Sequence, residues 1–317
     1  MPAESRPMTH PDYPPPPRPA LAARVLRVLL RHRVRGAWRL ATMLPRHLRS
    51  LQAVPIAIED AAPVYMDLRV PDALPWLIDA PWPTSPLEPG EQAVMRRLVR
   101  PGDVALDVGA NIGLHTTLMA RLVGEGGRVV AFEPSAEILP CLRRTVAALP
   151  NVSLHEIALA DAPGEARLFV HPEHPTMTSL GDWTKLWDEA AATHTIACTR
   201  RRLDDLVDEG RVPRPDFVKI DVEGAEALVC RGARRTLDRE DAPALLFEEN
   251  LRASATLGLA IAATREWLAD MPRPGYRFFE LSADGELAPF DSERLDAPDA
   301  PRVRNVVALP RARLDAL

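Results

Sequence analysis

Three groups of polar residues stand where apolar runs end. Asp107-Val108-Gly109-Ala110-Asn111-Ile112-Gly113 leaves one run and opens a helical pattern, Glu133 closes a second run 24 residues after Gly109, and Lys219-Ile220-Asp221-Val222-Glu223-Gly224 ends a third. A turn of small residues between strand and helix lets backbone N–H groups and the helix N-terminus approach a ligand closely. An acidic side chain at the end of the second strand can accept hydrogen bonds from both hydroxyls of a ribose. In an extended chain alternate residues share a face, so Lys219, Asp221 and Glu223 point one way and Ile220 and Val222 the other. Charges at the carboxyl end of a central strand lie where open α/β sheets bind ligands, and burying them without a task is expensive. Glu223 has a second reading of equal weight, as a cap for the helix that follows the turn at Gly224. Phe247-Glu248-Glu249-Asn250 brings a further carboxylate to the same rim.

The first turn discriminates between cofactors. A dinucleotide fingerprint G-x-G-x-x-G counted from Gly109 would need glycine where Asn111 and Leu114 stand, so a pyrophosphate is disfavoured. The pattern D-x-G-x-N-x-G is instead a variant of the D/E-x-G-x-G-x-G turn of S-adenosylmethionine enzymes. With GRVVAFEPS, the TMTSL segment Thr176–Leu180, RRLDDLV and FVKIDVEGAEALVCRGA, the chain resembles the FkbM family of S-adenosylmethionine-dependent methyltransferases, firmly over about 100–250 and weakly on to Asn305–Pro310. The resemblance implies a Rossmann-like seven-stranded sheet and O-methylation of a sugar, glycolipid or polyketide hydroxyl. It implies that Asp107, Gly109, Ala110, Asn111 and Gly113 line the methionine side of the cofactor, with Asp221 nearby. Glu133 would hold the ribose and Ala158 would border the adenine. Ser179, His115 and Glu223 are expected on the acceptor side.

Methyl transfer from a sulfonium is an in-line displacement, so the protein chiefly positions the acceptor. An alcohol also needs a base to take its proton as attack proceeds. Asp221 is the first candidate, oriented by Lys219; Lys219 itself, with a lowered pKa, is an alternative base, and Glu248 is the reserve. No metal site is expected from ligand spacing, although Asp221 and Glu248 holding Mg²⁺ stays open. Two other classes compete: a non-catalytic S-adenosylmethionine-binding module in a membrane-associated complex, and an NAD-dependent oxidoreductase.

The elements that must position these residues follow from periodicity. Val104–Val108, Arg128–Glu133 and Val152–Ala158 read as strands, with helices over 113–123 and Ala136–Ala148 between them. Phe217–Asp221 and Ala244–Glu248 read as two more buried strands around a helix, and Tyr276–Leu281 and Val303–Leu309 as a closing antiparallel pair. Strands alternating with helices imply a parallel sheet covered on both faces. The loop 171–194 carries His171, His174, Trp183 and Trp187, which read either as a lid over the acceptor or as exposed and packed loop residues.

Composition narrows the class. The 317 residues are 46% hydrophobic and 26% charged with net charge −5, which excludes a disordered tail, while a disulfide scaffold would need far more than 3 Cys. Cys141, Cys198 and Cys230 are isolated, which excludes a zinc ribbon and suggests a reducing compartment, so a cytoplasmic location is expected. Negative charge and 5% aromatic content argue against nucleic acid. The N-terminal part departs from this pattern. Residues 1–20, with Pro14–Pro17, read as a disordered tail, 21–90 as a basic amphipathic helix plus an irregular layer, and 91–317 as the cofactor domain. Nine arginines fall between Arg18 and Arg49, and no acidic residue between Asp12 and Glu59. The helix expected over about 20–42 has Arg24, Arg27, Arg31 and Arg35 along one stripe and Leu21, Val25, Val28, Leu29 and His32 on another face. It reads as a contact for an anionic membrane or an acidic partner through residues 20–50, or as a solvated helix packed on the main domain.

Overall fold

The structure, a computed structural model, describes residues 18–58, 62–70, 73–79, 88–170, 178–182, 194–290 and 302–316. The Pro14–Pro17 run and His171, His174, Thr176, Trp183 and Trp187 lie outside them.

The single N-terminal helix expected over 20–42 is two helices, α1 (Leu21–Arg31) and α2 (Ala37–His47). Between them Arg33 and Gly36 adopt left-handed φ values of 51° and 86°, which ends one helix and starts the next. The buried face also differs from the expected one. Ala23, Leu26 and Leu30 are buried, whereas Leu21, Val25 and Val28 face outward. At about 100° per residue α1 is apolar on two opposite sides, so its pattern alone cannot say which side packs. Residues 52–90, expected to be irregular, contain a hairpin of β1 (Val54–Ile56) and β2 (Val64–Met66), then α3 (Ala73–Asp79) and α4 (Pro89–Leu98). Proline masks the pattern here: Pro89 occupies the first turn of α4, where its missing N–H costs nothing. Leu26, Leu51, Ile56, Leu68 and Leu74 form the hydrophobic cluster of this N-terminal part, and Ile112 and Leu114 pack against it.

The main sheet has eight strands. Its parallel centre is β3 (Val104–Val108), β4 (Arg128–Phe132), β5 (Val152–His155), β10 (Phe217–Ile220) and β11 (Ala244–Asn250). Between β5 and β10 lie β6 (Ala158–Leu159), β7 (Gly164–Val170), β8 (Thr178–Ser179) and β9 (His194–Arg201). From one edge the order is β5-β4-β3-β10-β11, continued by β14 (Val303–Leu309), β12 (Arg277–Leu281) and β13 (Leu287–Pro289). The final strand β14 runs antiparallel to both its neighbours, β11 and β12, as the closing pair predicted. The β12–β13 hairpin adds the eighth strand to the seven expected.

Helices cover both faces: α5 (Leu114–Val123), α6 (Leu139–Val146), α7 (Leu203–Asp208), α8 (Glu226–Arg231), α9 (Arg234–Leu237), α10 (Leu251–Thr256) and α11 (Ala263–Ala269). Alternate residues of each strand feed opposite cores. Leu106, Val130, Val218, Leu245 and Val306 pack on one side; Ala105, Val129, Phe217, Leu246 and Val307 pack on the other. The third strand stops at His155 instead of running to Ala158, and the exposed Glu156 just beyond it pairs with Arg143. Ala158–Leu159 instead joins a separate four-stranded sheet in the order β6-β9-β7-β8, which the sequence pattern did not announce.

Candidate active site

The carboxyl ends of β3, β4 and β10 open on one cavity of about 1020 Å³. Gly109, Ala110, Asn111, His115, Glu133, Ala158, Lys219, Asp221 and Glu223 all line it, so nine residues singled out from the sequence meet in one place. Asp107, Gly113, Ser179 and Glu248 are not among its lining residues.

The first turn is built by backbone. Gly109 and Ala110 both donate to the Phe132 carbonyl at 3.0 Å, which ties the end of β3 to the end of β4. Gly109 has φ +85°, and a Cβ there would lie 1.8 Å from the Asp221 carbonyl oxygen. The residue is glycine because two strand ends touch at this point, and that contact holds Asp221 against the turn. Glu133 is bound into the same structure. Its carboxylate accepts the Asn111 N–H at 2.9 Å and the Ser135 N–H at 2.8 Å, leaving further lone pairs on both oxygens. Burial pushes the Glu133 carboxyl up to about 7, against the pull of those two hydrogen bonds.

Lys219 lies in register with Asp107 of β3 and donates to Asp221 Oδ2 at 2.8 Å. Its side chain is 4% exposed and that of Asp221 29%, so the pair runs from the interior to the cavity. Burial opposes the Lys219 charge, but Asp221, Glu91, Asp107 and Glu88 outweigh it and raise the ammonium above its ordinary range. Lysine as the base would need a lowered pKa, and the shift runs the other way. Asp107 accepts the Thr116 hydroxyl at 2.5 Å, while its second oxygen is buried without a hydrogen-bond partner. Burial, chiefly, raises this carboxyl as well.

The other expected residues have local tasks. Ser179 donates to the Glu223 carbonyl at 2.6 Å and accepts from the Gly181 N–H, so its hydroxyl fixes a loop; Thr178 and Leu180 beside it face the cavity. Glu223 holds a left-handed φ of 55° in the turn before α8, where no side chain caps the helix; the Glu226 carboxylate accepts the Val222 and Gly224 N–H groups and so ties that turn together. Burial and the neighbouring Asp221 and Glu248 carboxylates push the Glu223 carboxyl well above the usual range. Glu248 receives the Asn250 amide at 3.1 Å, and burial lifts it to about 8. Gly113 starts α5 with φ +91°, packed on Leu142 and Thr145.

One wall of the cavity, and the grouping of Glu88 and Glu91 with the expected His115, were missed. Met66, Asp67, Arg69, Val70 and Trp76 of the N-terminal part form one wall of the cavity. No periodic signal marked them. Glu88, Glu91 and His115 bring ligand atoms within 4.8 Å of one another, a set with metal-ligating chemistry among the described residues. Glu88 and His115 line the cavity, and His115 Nε2 is 3.3 Å from Glu88 and 3.9 Å from Glu91. Burial and the nearby Lys219 lower His115 well below its usual value. Glu91 accepts the Asn305 amide on one oxygen at 2.7 Å; its other oxygen, like His115 Nε2, is buried without a hydrogen-bond partner. In the sequence, Glu-Pro-Gly-Glu ahead of a strand reads only as acids at a helix start, where the macrodipole favours them.

A family model described as the methyltransferase FkbM domain matches residues 107–278. Among curated proteins, the AMB antimetabolite synthetase AmbE of Pseudomonas aeruginosa is 30% identical over 196 residues, 51% of this chain and 9% of that protein. The 2-O-methyltransferase NoeI of Sinorhizobium fredii is 28% identical over 213 residues, 60% of this chain and 83% of that protein. The hexuronic acid methyltransferase AglP of Haloferax volcanii is 31% identical over 153 residues, 47% of this chain and 58% of that protein. The chain thus spans less than two thirds of the length of the first and third of these relatives, and most of the second.

Proposed function

The chain belongs to the FkbM methyltransferase family, and from that premise we propose that it transfers a methyl group from S-adenosyl-L-methionine to a hydroxyl of a sugar, glycolipid or polyketide-type acceptor. The observation that carries this reading is the convergence of the Gly109 turn, Glu133 and the Lys219–Asp221 pair on one cavity. The similarity to a 2-O-methyltransferase and to a hexuronic acid methyltransferase supports a sugar hydroxyl as the first acceptor to try.

The residues suit this cofactor. The Gly109–Gly113 turn admits the methionine portion closely, and Glu133 has lone pairs left for the two ribose hydroxyls. Ala158 and Leu159 line the cavity where the adenine would rest. When bound, the cofactor supplies an electrophilic methyl carbon on a sulfonium.

The chain's own task is then positioning and proton removal. Asp221 reaches the cavity and accepts the acceptor hydroxyl's proton during attack, a contribution of about 10²–10⁴-fold in rate. Lys219 holds Asp221 in place through a bond that burial protects from water. Glu223 lines the cavity beside Asp221, where it can meet the acceptor, and Arg69 and Trp76 add a charged group and an aromatic ring to the lining. Glu248 does not line the cavity; as the reserve base it would act only through a shift towards Asp221. The test is transfer of labelled methyl to a panel of hexuronic acids, glycolipids and hydroxylated polyketides. Label on a hydroxyl in any of these supports the reading, and transfer to none, with the cofactor bound, overturns it.

A further inference from the structure

We propose that the outer face of the α1–α2 hairpin docks this protein on an anionic lipid bilayer. Ten large hydrophobic side chains are exposed among the described residues, and eight of them, Leu21, Val25, Val28, Val34, Trp38, Leu40, Met43 and Leu48, fall within this short segment. They are not the packing face. On α1 the buried stripe is Ala23, Leu26 and Leu30, and at about 100° per residue the stripe of Leu21, Val25 and Val28 lies on the opposite side. Val28 is 56% exposed, Trp38 54% and Met43 57%, so their rings and chains stand in water with no counterpart in the fold.

The charge pattern selects the occupant. Nine arginines lie between Arg18 and Arg49 without one acidic residue, in a chain whose net charge is −5. None of the nine forms an ion pair among the described residues. An acidic protein surface would match the arginines but leave the hydrocarbon side chains unused. The boundary between headgroups and acyl chains takes both, with arginines among phosphates and apolar residues below them. Each helix has 11 residues, and no helix is long and apolar enough to cross a membrane, so the hairpin would lie in the plane of the surface. The same N-terminal part supplies a wall of the cavity through Arg69 and Trp76. Resting on the proposed function, this couples docking to substrate class: the hydroxyl belongs to a lipid-anchored glycan.

The test is co-sedimentation of the full chain with vesicles of phosphatidylcholine, with and without phosphatidylglycerol. Binding is expected only with the anionic lipid, weakened by salt. Reversing Arg24, Arg31 and Arg35 to Glu should lower partitioning about a hundredfold or more, since each arginine near such a surface contributes about fivefold. Trp38 fluorescence should be quenched by brominated acyl chains, and Trp38→Phe should remove that quenching. These side chains are exposed, and circular dichroism checks that the variants fold. No binding to the anionic vesicles, unchanged binding of the triple variant, or an unquenched Trp38 overturns the proposal; unquenched Trp38 with salt-sensitive binding to an acidic polypeptide would mark a protein-docking face instead. Vesicle binding without cofactor binding would sink the methyltransferase reading and leave the docking standing.

Discussion

At the residue scale, Asp221 is the proposed proton acceptor, held by the buried Lys219 ammonium. Asp221→Asn removes the acceptor for the proton but keeps size and most contacts, so kcat should fall by about 10²–10⁴-fold while cofactor affinity stays within a few fold. Glu248→Gln should change kcat far less, because Glu248 lies off the cavity wall. Normal turnover of Asp221→Asn would refute the assignment. Glu133 yields a pH prediction. Burial holds its carboxyl at about 7, and the ribose hydroxyls donate to the ionised form. Cofactor affinity should therefore be level above that pH and fall as pH drops through it, approaching tenfold per unit. Glu133→Gln should bind more weakly with no such slope, which calorimetry at several pH values would read. A slope of opposite sign, or one kept in Glu133→Gln, would mean another group controls binding.

At the element scale, the turn after β3 carries the site because strand ends meet there. Ala at position 109 places a Cβ on the Asp221 carbonyl in a left-handed backbone, so Gly109→Ala should cost about 2–4 kcal/mol in denaturant unfolding and abolish cofactor binding. An unaffected variant would show that the contact between β3 and β10 is not fixed. This turn was legible in the sequence, as were Val104–Val108 and the closing antiparallel pair, because buried strands leave apolar runs and glycine marks the turn. The elements that were misread have two causes. α1 is apolar on opposite sides, so its packing face depends on the turn at 32–36 and on partners distant in sequence. β1, β2 and α3 are only three, three and seven residues long, too short for any period to emerge. The Glu91–His115 approach joins α4 to α5 across the head of the sheet, and Asn305 reaches Glu91 from a strand 214 residues on. No local pattern encodes that meeting.

At the scale of the whole molecule, the N-terminal part is continuous with the site. Ile112 and Leu114, of the turn after β3 and the start of α5, pack against its hydrophobic cluster. The Tyr65 N–H donates to Thr145 of α6 at 3.0 Å, and Cys141 Sγ reaches the Gln52 carbonyl at 3.5 Å, so β2 and its approach are tied to the main sheet's helices. Leu74 is fully buried in that cluster. Leu74→Ala should cost about 2–5 kcal/mol, and because the cluster backs the turn, cofactor affinity should weaken along with it. Lower stability with unchanged affinity would separate the two parts energetically.

Cofactor choice is decided by calorimetric titration of the purified chain with S-adenosylmethionine, S-adenosylhomocysteine and NAD, on the wild type and on Glu133→Ala. Saturable binding of the first two at a single site is expected, with no binding of NAD and loss of the signal in Glu133→Ala. Tight NAD binding, or S-adenosylmethionine binding that ignores the loss of Glu133, would contradict the proposed cofactor site.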